Sequence, residues 1–410
     1  MKYLKWFTLI VLSILLGVLL VQYMTIHPLQ MGLVLFLTLV VLFVIIILIA
    51  KGFQGKQLPI AIILSIVLFV SGYAVMTQIF LSREDPRFVP ELTRALGDPG
   101  DGHTAVIYFT HGEPSTYNPI SWINQFKEFD EQGIAFIPFL VRPYFVHQLR
   151  NAYLRVGQSH HRDMHLQMLQ SLEAAYRQEG DETTKFYISF LDDEPRPDAA
   201  VIQALNDGAS HIVVSEVFLT ISNHTAEGEH QIESVNVEDY GATLTFTGPM
   251  WDSEGLRSMF VKRANANIDG TDKSKVGVLL VGHGQPDEWD VEWPTETEQE
   301  TSFRQEVLNL FAEDGYDPDN LSLAWMSFKE PKPAEKVEEF YENGIEKLVF
   351  YSAAISADSI HSQYDIPELV YEADIPKDIP IINLGAWNND PIVIAAIKEK
   401  IDEAMAASGK

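Results

Sequence analysis

The sequence predicts an α/β protein with two similar doubly wound parallel-sheet domains behind an N-terminal bundle of three transmembrane helices. Three observations lead to this prediction: three long apolar runs near the N-terminus, apolar strands that alternate with helical patterns, and a repeated order of motifs in the remainder. The predicted segments are 1–82 for the helices, 98–268 for the first α/β domain and 274–408 for the second.

The composition limits the function classes. The chain has 410 residues, with 57 Asp and Glu against 29 Lys and Arg, a net charge of −28, 47% hydrophobic residues and no cysteine. These values exclude a disordered chain, a disulfide scaffold and a thiolate-bound metal. The acidic excess also argues against nucleic-acid binding, which needs a basic face.

The apolar runs cover residues 6–21, 31–50 and 58–81 and contain no charged residue. Each is close to the roughly 20 residues that a helix needs to cross the hydrocarbon of a bilayer. A cleaved signal peptide is the competing interpretation of the first run. That run lacks a small-x-small cleavage site, and the two further spans would anchor the chain in either case.

The loops between the runs predict an orientation, because Lys and Arg in short loops mark the cytoplasmic side. Lys2 and Lys5 precede the first span, and Lys51 and Lys56 lie between the second and third, whereas the loop 25–30 contains no cation. The pattern predicts a multi-pass cell-membrane protein with a cytoplasmic N-terminus and an extracytoplasmic soluble part. The lipid bilayer is therefore an expected partner.

The soluble part contains an internal duplication. An apolar strand ends at His111-Gly112 in one half, and another ends at His283-Gly284 in the other. Further along, Glu194 and Glu330 open matching Glu-Pro-x-Pro motifs and are 136 positions apart. Ligands of parallel α/β sheets bind outside the carboxyl ends of strands, so both histidines are expected to face a binding cleft.

The first half has an insert of unusual composition, since residues 132–162 contain no acid. Guanidinium pairs bidentately with carboxylate, and aromatic rings stack on planar ligands. The insert therefore predicts binding of a flat apolar ligand with carboxylates at its rim; an ordinary amphipathic helix and core strand is the alternative. The basic and aromatic residues are Arg142, Arg150, Arg155 and Arg162 with Phe136, Phe139, Tyr144, Phe145 and Tyr153.

A second candidate histidine follows a strand of the second half. Asp358, His361, Asp365 and Glu368 are spaced three, four and three, which places them on one face of a helix. This row is expected to move a divalent cation inward or protons outward, and a solvated helix face is the alternative. Seven acids between 287 and 300 are similarly either a solvated loop or an entry site for a hard cation.

From residue 105 onward, the chain resembles the ferrochelatases and related class II tetrapyrrole chelatases. Residues 282–286 resemble the family's Ala-His-Ser-Leu-Pro segment, with His283 at the position of its metal-site histidine. Residues 357–365 are similar to its Asp-His-x-Glu-x-Leu-Tyr-Asp helix, and 325–327 to its Trp-Gln-Ser. His361 stands where ferrochelatases have a catalytic Glu, and the resulting His pair resembles that of anaerobic cobaltochelatases.

The resemblance implies a lyase that inserts Fe²⁺ or Co²⁺, as a substrate, into a porphyrin or sirohydrochlorin, with no organic cofactor. His283 and His361 would be the metal ligands, Asp358, Asp365 and Glu368 would relay protons or metal, and His111 and His224 rank second. Two other functions stay open: a membrane-tethered tetrapyrrole- or metal-binding protein without turnover, and an anchored solute-binding sensor. The expected tetrapyrrole-binding residues are Arg142, Tyr144, Arg150, Tyr153, Arg155, Trp325 and Ser327.

Overall fold

The computed structural model describes residues 2–84, 86–131 and 137–407. These fall into two compact units, Met1–Pro86 with Thr116–Gln158, and Arg87–Ser115 with Ser159–Lys410. Phe136 of the insert, Met1 and residue 408 lie outside the described residues.

Three long helices begin the first unit: α1 (Lys2–Thr25), α2 (Pro28–Gly52) and α3 (Gln57–Leu81). All three are long and apolar enough to cross a membrane, by length and composition. Small residues let α1 and α3 approach closely: a Cβ on Gly17 would lie 2.2 Å from the carbonyl oxygen of Phe69, and one on Gly72 would lie 2.3 Å from that of Ile14.

Lys5 shows which ends of these helices lie together. Its ammonium donates to the carbonyl oxygen of Gly52 at 2.6 Å and lies 4.6 Å from the centre of the Phe53 ring. Lys5 is therefore at the same end of the bundle as the α2–α3 loop, which holds Lys51 and Lys56. The grouping of cations agrees with the sequence; which side of a membrane they face stays a prediction.

The rest of the first unit contains α4 (Ser121–Glu131) and α5 (Arg142–Val156). The sequence placed this segment inside the domain 98–268, but the structure packs it with the apolar helices. The reason is that α5 buries one face, including Val146, Ala152 and Tyr153, within the first unit.

Two four-stranded parallel sheets form the second unit. The first has the order β2-β1-β3-β4 and the second the order β6-β5-β7-β8. This identical order confirms the duplication inferred from the motifs. The strands are β1 (Thr104–Thr110), β2 (Lys185–Phe190), β3 (His211–Glu216), β4 (Thr243–Phe246), β5 (Val276–Gly282), β6 (Leu321–Trp325), β7 (Lys347–Ser352) and β8 (Ile381–Asn383).

Helices cover both faces of each sheet, which confirms the doubly wound class. Along β1, Val106 and Tyr108 point into one core while Ile107 and Phe109 point into another. The helices are α6 (His161–Gln178), α7 (Pro197–Asn206), α8 (Asn223–Glu233), α9 (Glu254–Asn265), α10 (Asp287–Glu292), α11 (Pro294–Glu313), α12 (Pro333–Glu342), α13 (Ile366–Tyr371) and α14 (Pro391–Ala407).

The two halves share one hydrophobic core. Val106 and Tyr108 of β1 belong to the same buried cluster as Val278 and Leu280 of β5. The C-terminal helix α14 also contacts the first half, where the Tyr176 hydroxyl on α6 donates to an oxygen of Asp402 at 2.6 Å. The two sheets therefore hold the ends of β1 and β5 in a fixed relation.

Candidate functional site

The matching strands β1 and β5 end in His-Gly turns of the same local geometry. Nδ1 of His111 lies 3.0 Å from the carbonyl oxygen of Gly112, and Nδ1 of His283 lies 2.7 Å from that of Gly284. A carbonyl only accepts, so Nδ1 donates and Nε2 keeps its lone pair for a metal or a proton. Gly284 has φ +77°, and a Cβ there would lie 2.3 Å from the carbonyl oxygen of Ser327.

A buried ion pair supports the His283 turn from behind. Glu300 accepts from the His283 amide at 3.1 Å and lies 3.3 Å from Arg304, whose side chain is fully buried. The Arg304 guanidinium in turn lies 3.9 Å from the centre of the Trp325 ring. Trp325 is 5% exposed, and the Ser327 amide donates to the His283 carbonyl at 3.1 Å. Trp325 and Ser327, two of the residues expected to bind tetrapyrrole, thus lie beside His283, and Trp325 packs on the ion pair that supports the turn. Their contacts with a substrate stay a prediction.

His283 and His361 lie together, as the sequence predicts. Their ring centroids are 5.4 Å apart. His361 opens a π-helical turn, His361–Asp365, after β7, and its Nδ1 lies 2.6 Å from Oδ2 of Asp365. The His361 ring is thus oriented by a carboxylate, which leaves its Nε2 as the second available nitrogen.

The other two acids of the predicted row are placed elsewhere. Asp358 precedes the helical turn and accepts from the Ala386 amide at 3.1 Å and from Asn388 Nδ2 at 3.0 Å. Glu368 is exposed on α13. The spacing rule fails here because the turn is π-helical and the helix starts only at Ile360. The structure therefore corrects the predicted row of four to the pair His361 and Asp365.

Glu113 is a site residue that the sequence did not single out. It belongs to the first half, and its Oε1 accepts from the Ile360 amide of the second half at 3.0 Å. Burial raises the pKa of Glu113, and the neighbouring His361 partly opposes this rise. Its position two residues after His111 was the available signal, but only the fold brings it to His361.

The two histidines of the pair have opposite pKa shifts. Burial, together with repulsion from His361, lowers the pKa of His283 to about 4. Burial also acts to lower the pKa of His361, but the carboxylates of Asp365 and Glu113 outweigh it and raise the pKa. His283 is therefore a neutral imidazole at pH 7, suited to a metal, while His361 holds a proton more tightly.

The second-rank histidines lie near His283. The ring centroids of His111 and His224 are 4.7 Å apart, and the His224 centroid lies 6.1 Å from that of Trp289 in the second half. Burial lowers the pKa of His224, and His111 and His283 lower it further. The duplicated halves therefore bring two His pairs within electrostatic range of each other.

Two further histidines lie on α6. His161 and His165 are buried with ring centroids 4.5 Å apart. His165 lies 2.9 Å from the Tyr108 hydroxyl and 3.2 Å from that of Ser356, and its burial lowers its pKa to about 3. Their i, i+4 spacing was visible in the sequence, but their burial was not.

Within the described ranges, no group of three or more His, Asp or Glu side chains is arranged to hold a metal. The acids that follow His283 divide into several roles: Asp290 pairs with Lys329, and burial, with repulsion from Glu300, raises the pKa of Glu296 to about 8. The acids of this run thus lie on α10 and α11 rather than in a loop, and only some of them face solvent. The exposed members are Asp287, Glu288, Glu292 and Glu298.

The described insert residues up to Gln158 belong to the first unit, and Arg162 belongs to the second. Two residues of the first group contradict the expected role. Arg142 is 7% exposed and donates to Asp130 at 2.7 Å. Arg150 is fully buried and donates to backbone carbonyl oxygens in the first unit. These guanidiniums are already paired within the protein, so their contacts favour a structural role. Tyr153 is also buried, whereas Tyr144 and Arg155 are exposed. That these three residues contact a ligand stays a prediction.

No protein-family model and no curated protein sequence matches the chain. Among solved structures it is similar to SirB from Bacillus subtilis with Fe³⁺, at 16% identity and a TM-score of 0.49 over 75% of this chain and 98% of that one. It is also similar to SirB from Bacillus subtilis subspecies spizizenii, described as a sirohydrochlorin chelatase in complex with cobalt. The identity is 14% and the TM-score 0.44, over 75% of this chain and 98% of that one. A third similar structure is DR2241 from Deinococcus radiodurans, described as structurally similar to chelatases. The identity is 14% and the TM-score 0.48, over 74% of this chain and 55% of that one. Scores this low do not establish a shared fold, so the fold class follows from the two sheets themselves.

Proposed function

We propose that this chain is a membrane-anchored chelatase that inserts Fe²⁺ or Co²⁺ into a porphyrin or a sirohydrochlorin. The observation that supports it best is the pair His283 and His361. The two imidazoles come from the carboxyl ends of neighbouring strands, their rings are 5.4 Å apart, and each Nδ1 is engaged by an oxygen. The Nε2 atoms of both rings are thus the available nitrogens, and imidazole nitrogen suits Fe²⁺ and Co²⁺.

The proposed reaction balances as metal in and two protons out. A divalent metal ion replaces the two pyrrole N–H protons of the free-base ring, and both protons leave to bases of the protein and then to water. His283 is the proposed metal ligand because it is neutral at pH 7. His361, supported by Asp365, and Glu113 are the proposed proton acceptors, since the carboxylates favour a proton on His361.

A site with two imidazoles also suits a metal that must leave again. Structural zinc sites, for comparison, are closed by four protein ligands. Among the described residues no group of three or more His, Asp or Glu side chains is arranged to hold a metal, so the metal is expected to pass to the tetrapyrrole rather than stay. Contacts remote from the nitrogens would supply the energy that bends the ring toward the metal.

The test uses the full chain in lipid nanodiscs under anaerobic conditions, with Fe²⁺ or Co²⁺ and either protoporphyrin or sirohydrochlorin. The absorption bands of the metallated ring report turnover. His283→Ala is expected to abolish insertion, while His230→Ala, at an exposed position on α8, is the matched control and should keep the wild-type rate.

Each outcome has a distinct meaning. Near-native insertion by His283→Ala contradicts the assignment of the metal ligand, and loss in His111→Ala instead would move the site to the first half. A stoichiometric band shift without turnover supports the tethered binding protein in place of an enzyme. No shift with either ring rejects the tetrapyrrole and leaves a solute-binding role.

A further inference from the structure

We propose that α5 and the residues just before it form an in-plane membrane helix, whose exposed apolar side chains enter the lipid bilayer beside the carboxyl ends of α1 and α3. This inference rests on the membrane anchoring contained in the proposed function. It replaces the ligand-binding role that the composition of the insert suggested with a lipid-binding one.

Polar contacts fix α5 at the end of α1. The Arg150 guanidinium donates to the carbonyl oxygens of Tyr23 and Ile26 and lies 5.3 Å from the centre of the Tyr23 ring. The Tyr117 hydroxyl donates to the carbonyl oxygen of Thr25 at 3.1 Å. The last carbonyls of a helix have no partner within it, so these donors satisfy groups that would otherwise need water.

A second contact determines where the N-terminal end of α5 lies along the axis of α3. The hydroxyl of Tyr73 on α3 donates to the carbonyl oxygen of Leu140 at 2.8 Å and lies 4.0 Å from the sulfur of Met24. Tyr73 precedes the end of α3 at Leu81 by eight residues, or about 12 Å of helix. The start of α5 therefore lies beside the apolar last turns of α3, where Val75 is 58% exposed.

The side chains at this level are apolar and exposed. Leu140, Val141, Tyr144 and Phe145 are each more than a third exposed around the first turn of α5, and Leu154 is 49% exposed in its last turn. They continue the surface that α3 presents to lipid, which is the reason to assign lipid as the occupant. Exposed apolar residues next to a spanning segment bury themselves at the headgroup and acyl boundary.

The composition of the segment agrees with this place. Residues 137–158 contain no acid, so no carboxylate there would have to be desolvated. Tyrosine is enriched where a membrane meets water, because its ring is apolar and its hydroxyl polar. The tyrosines of the first unit that belong to this region are Tyr23, Tyr73, Tyr117, Tyr144 and Tyr153.

Because the chain has no cysteine, single variants can carry a nitroxide label at chosen sites without a modified background. Phe145→Cys tests the proposal in full-length protein in phosphatidylcholine vesicles. Phe43→Cys, at an exposed position within α2, is the lipid reference, and Val291→Cys, 85% exposed in the second unit, is the water reference. Collision of the label with oxygen, which concentrates in lipid, is compared with collision with a water-soluble nickel chelate.

The label at Phe145 is expected to show a ratio of oxygen to nickel collisions several-fold above that at Val291 and close to that at Phe43. A ratio at Phe145 equal to that at Val291, with Phe43 in lipid, overturns the proposal and leaves the anchor intact. Water access at Phe43 would instead overturn the anchoring itself. Spin–spin broadening at Phe145 that disappears on dilution with unlabelled chain would assign the surface to a second copy and also overturn the proposal.

Discussion

Replacing Glu216 by Gln is predicted to stabilise the second unit above neutral pH and to leave it nearly unchanged in mild acid. Glu216 ends β3 and is 1% exposed. Burial, with the nearby Glu229 of α8, raises its pKa to about 8, and Lys400 opposes the rise only partly. Glutamine keeps the shape of the side chain and cannot ionise.

The sign and size of the expected change in the free energy of unfolding follow from the pKa of Glu216. The folded chain binds this proton more tightly than the unfolded chain, so the free energy of unfolding contributed by Glu216 is fully present below the ordinary glutamate pKa of 4.5 and is lost as the pH rises toward about 8. Each pH unit in this window costs about 1.4 kcal/mol, which sets an upper limit of about 5 kcal/mol. Since buried charges are screened more than a dry interior implies, we expect about 2–3 kcal/mol.

The assay is urea unfolding of the full chain in detergent micelles between pH 5 and 8.5, followed by tryptophan fluorescence. Five of the seven tryptophans lie in the second unit. Glu216→Gln should shift the midpoint upward at pH 8.5 and barely at pH 5, with the slope unchanged. Glu233→Gln, exposed on α8, is the control and should shift neither. A shift of the urea midpoint in Glu216→Gln that is constant with pH, or larger at pH 5, would refute the reasoning.

Two further predictions concern the first unit. Gly72→Ala places a Cβ 2.3 Å from the carbonyl oxygen of Ile14 and should separate α1 from α3 at a cost of about 1–3 kcal/mol in the free energy of unfolding. The change should appear as a lower thermal midpoint of the helical circular dichroism signal. Gly32→Ala, whose Cβ meets nothing within 4 Å, is the control and should not lower this midpoint. Arg150→Met removes the donor to the end of α1 and should cost about 2–4 kcal/mol without raising KM for the tetrapyrrole, while the exposed Arg155→Met should change the stability little.

Each has a clear contrary result. Equal midpoints for the two glycine variants would mean that α1 and α3 do not touch at Gly72. A higher KM for Arg150→Met at unchanged stability would restore the ligand-binding role of the insert.

Local features made much of the fold readable from the sequence. The apolar runs that became α1 to α3, and the strands that end at His111 and His283, depend on periodicity within one segment. The matched motifs around Glu194 and Glu330 indicated two equal sheets, because a duplicated sequence folds into a duplicated structure. The pairing of His283 with His361 followed from the expectation that strand ends gather at one edge of a sheet.

Only the tertiary structure decided the features that depend on partners distant in the chain. Arg150 donates to the end of α1 more than 120 positions away, which turned a predicted ligand-binding insert into part of the first unit. Glu113 reaches the turn of His361 across 247 positions. Asp358 left the predicted row because the helix starts only at Ile360. Composition reports which groups a segment offers, but burial and long-range geometry determine which partners those groups meet.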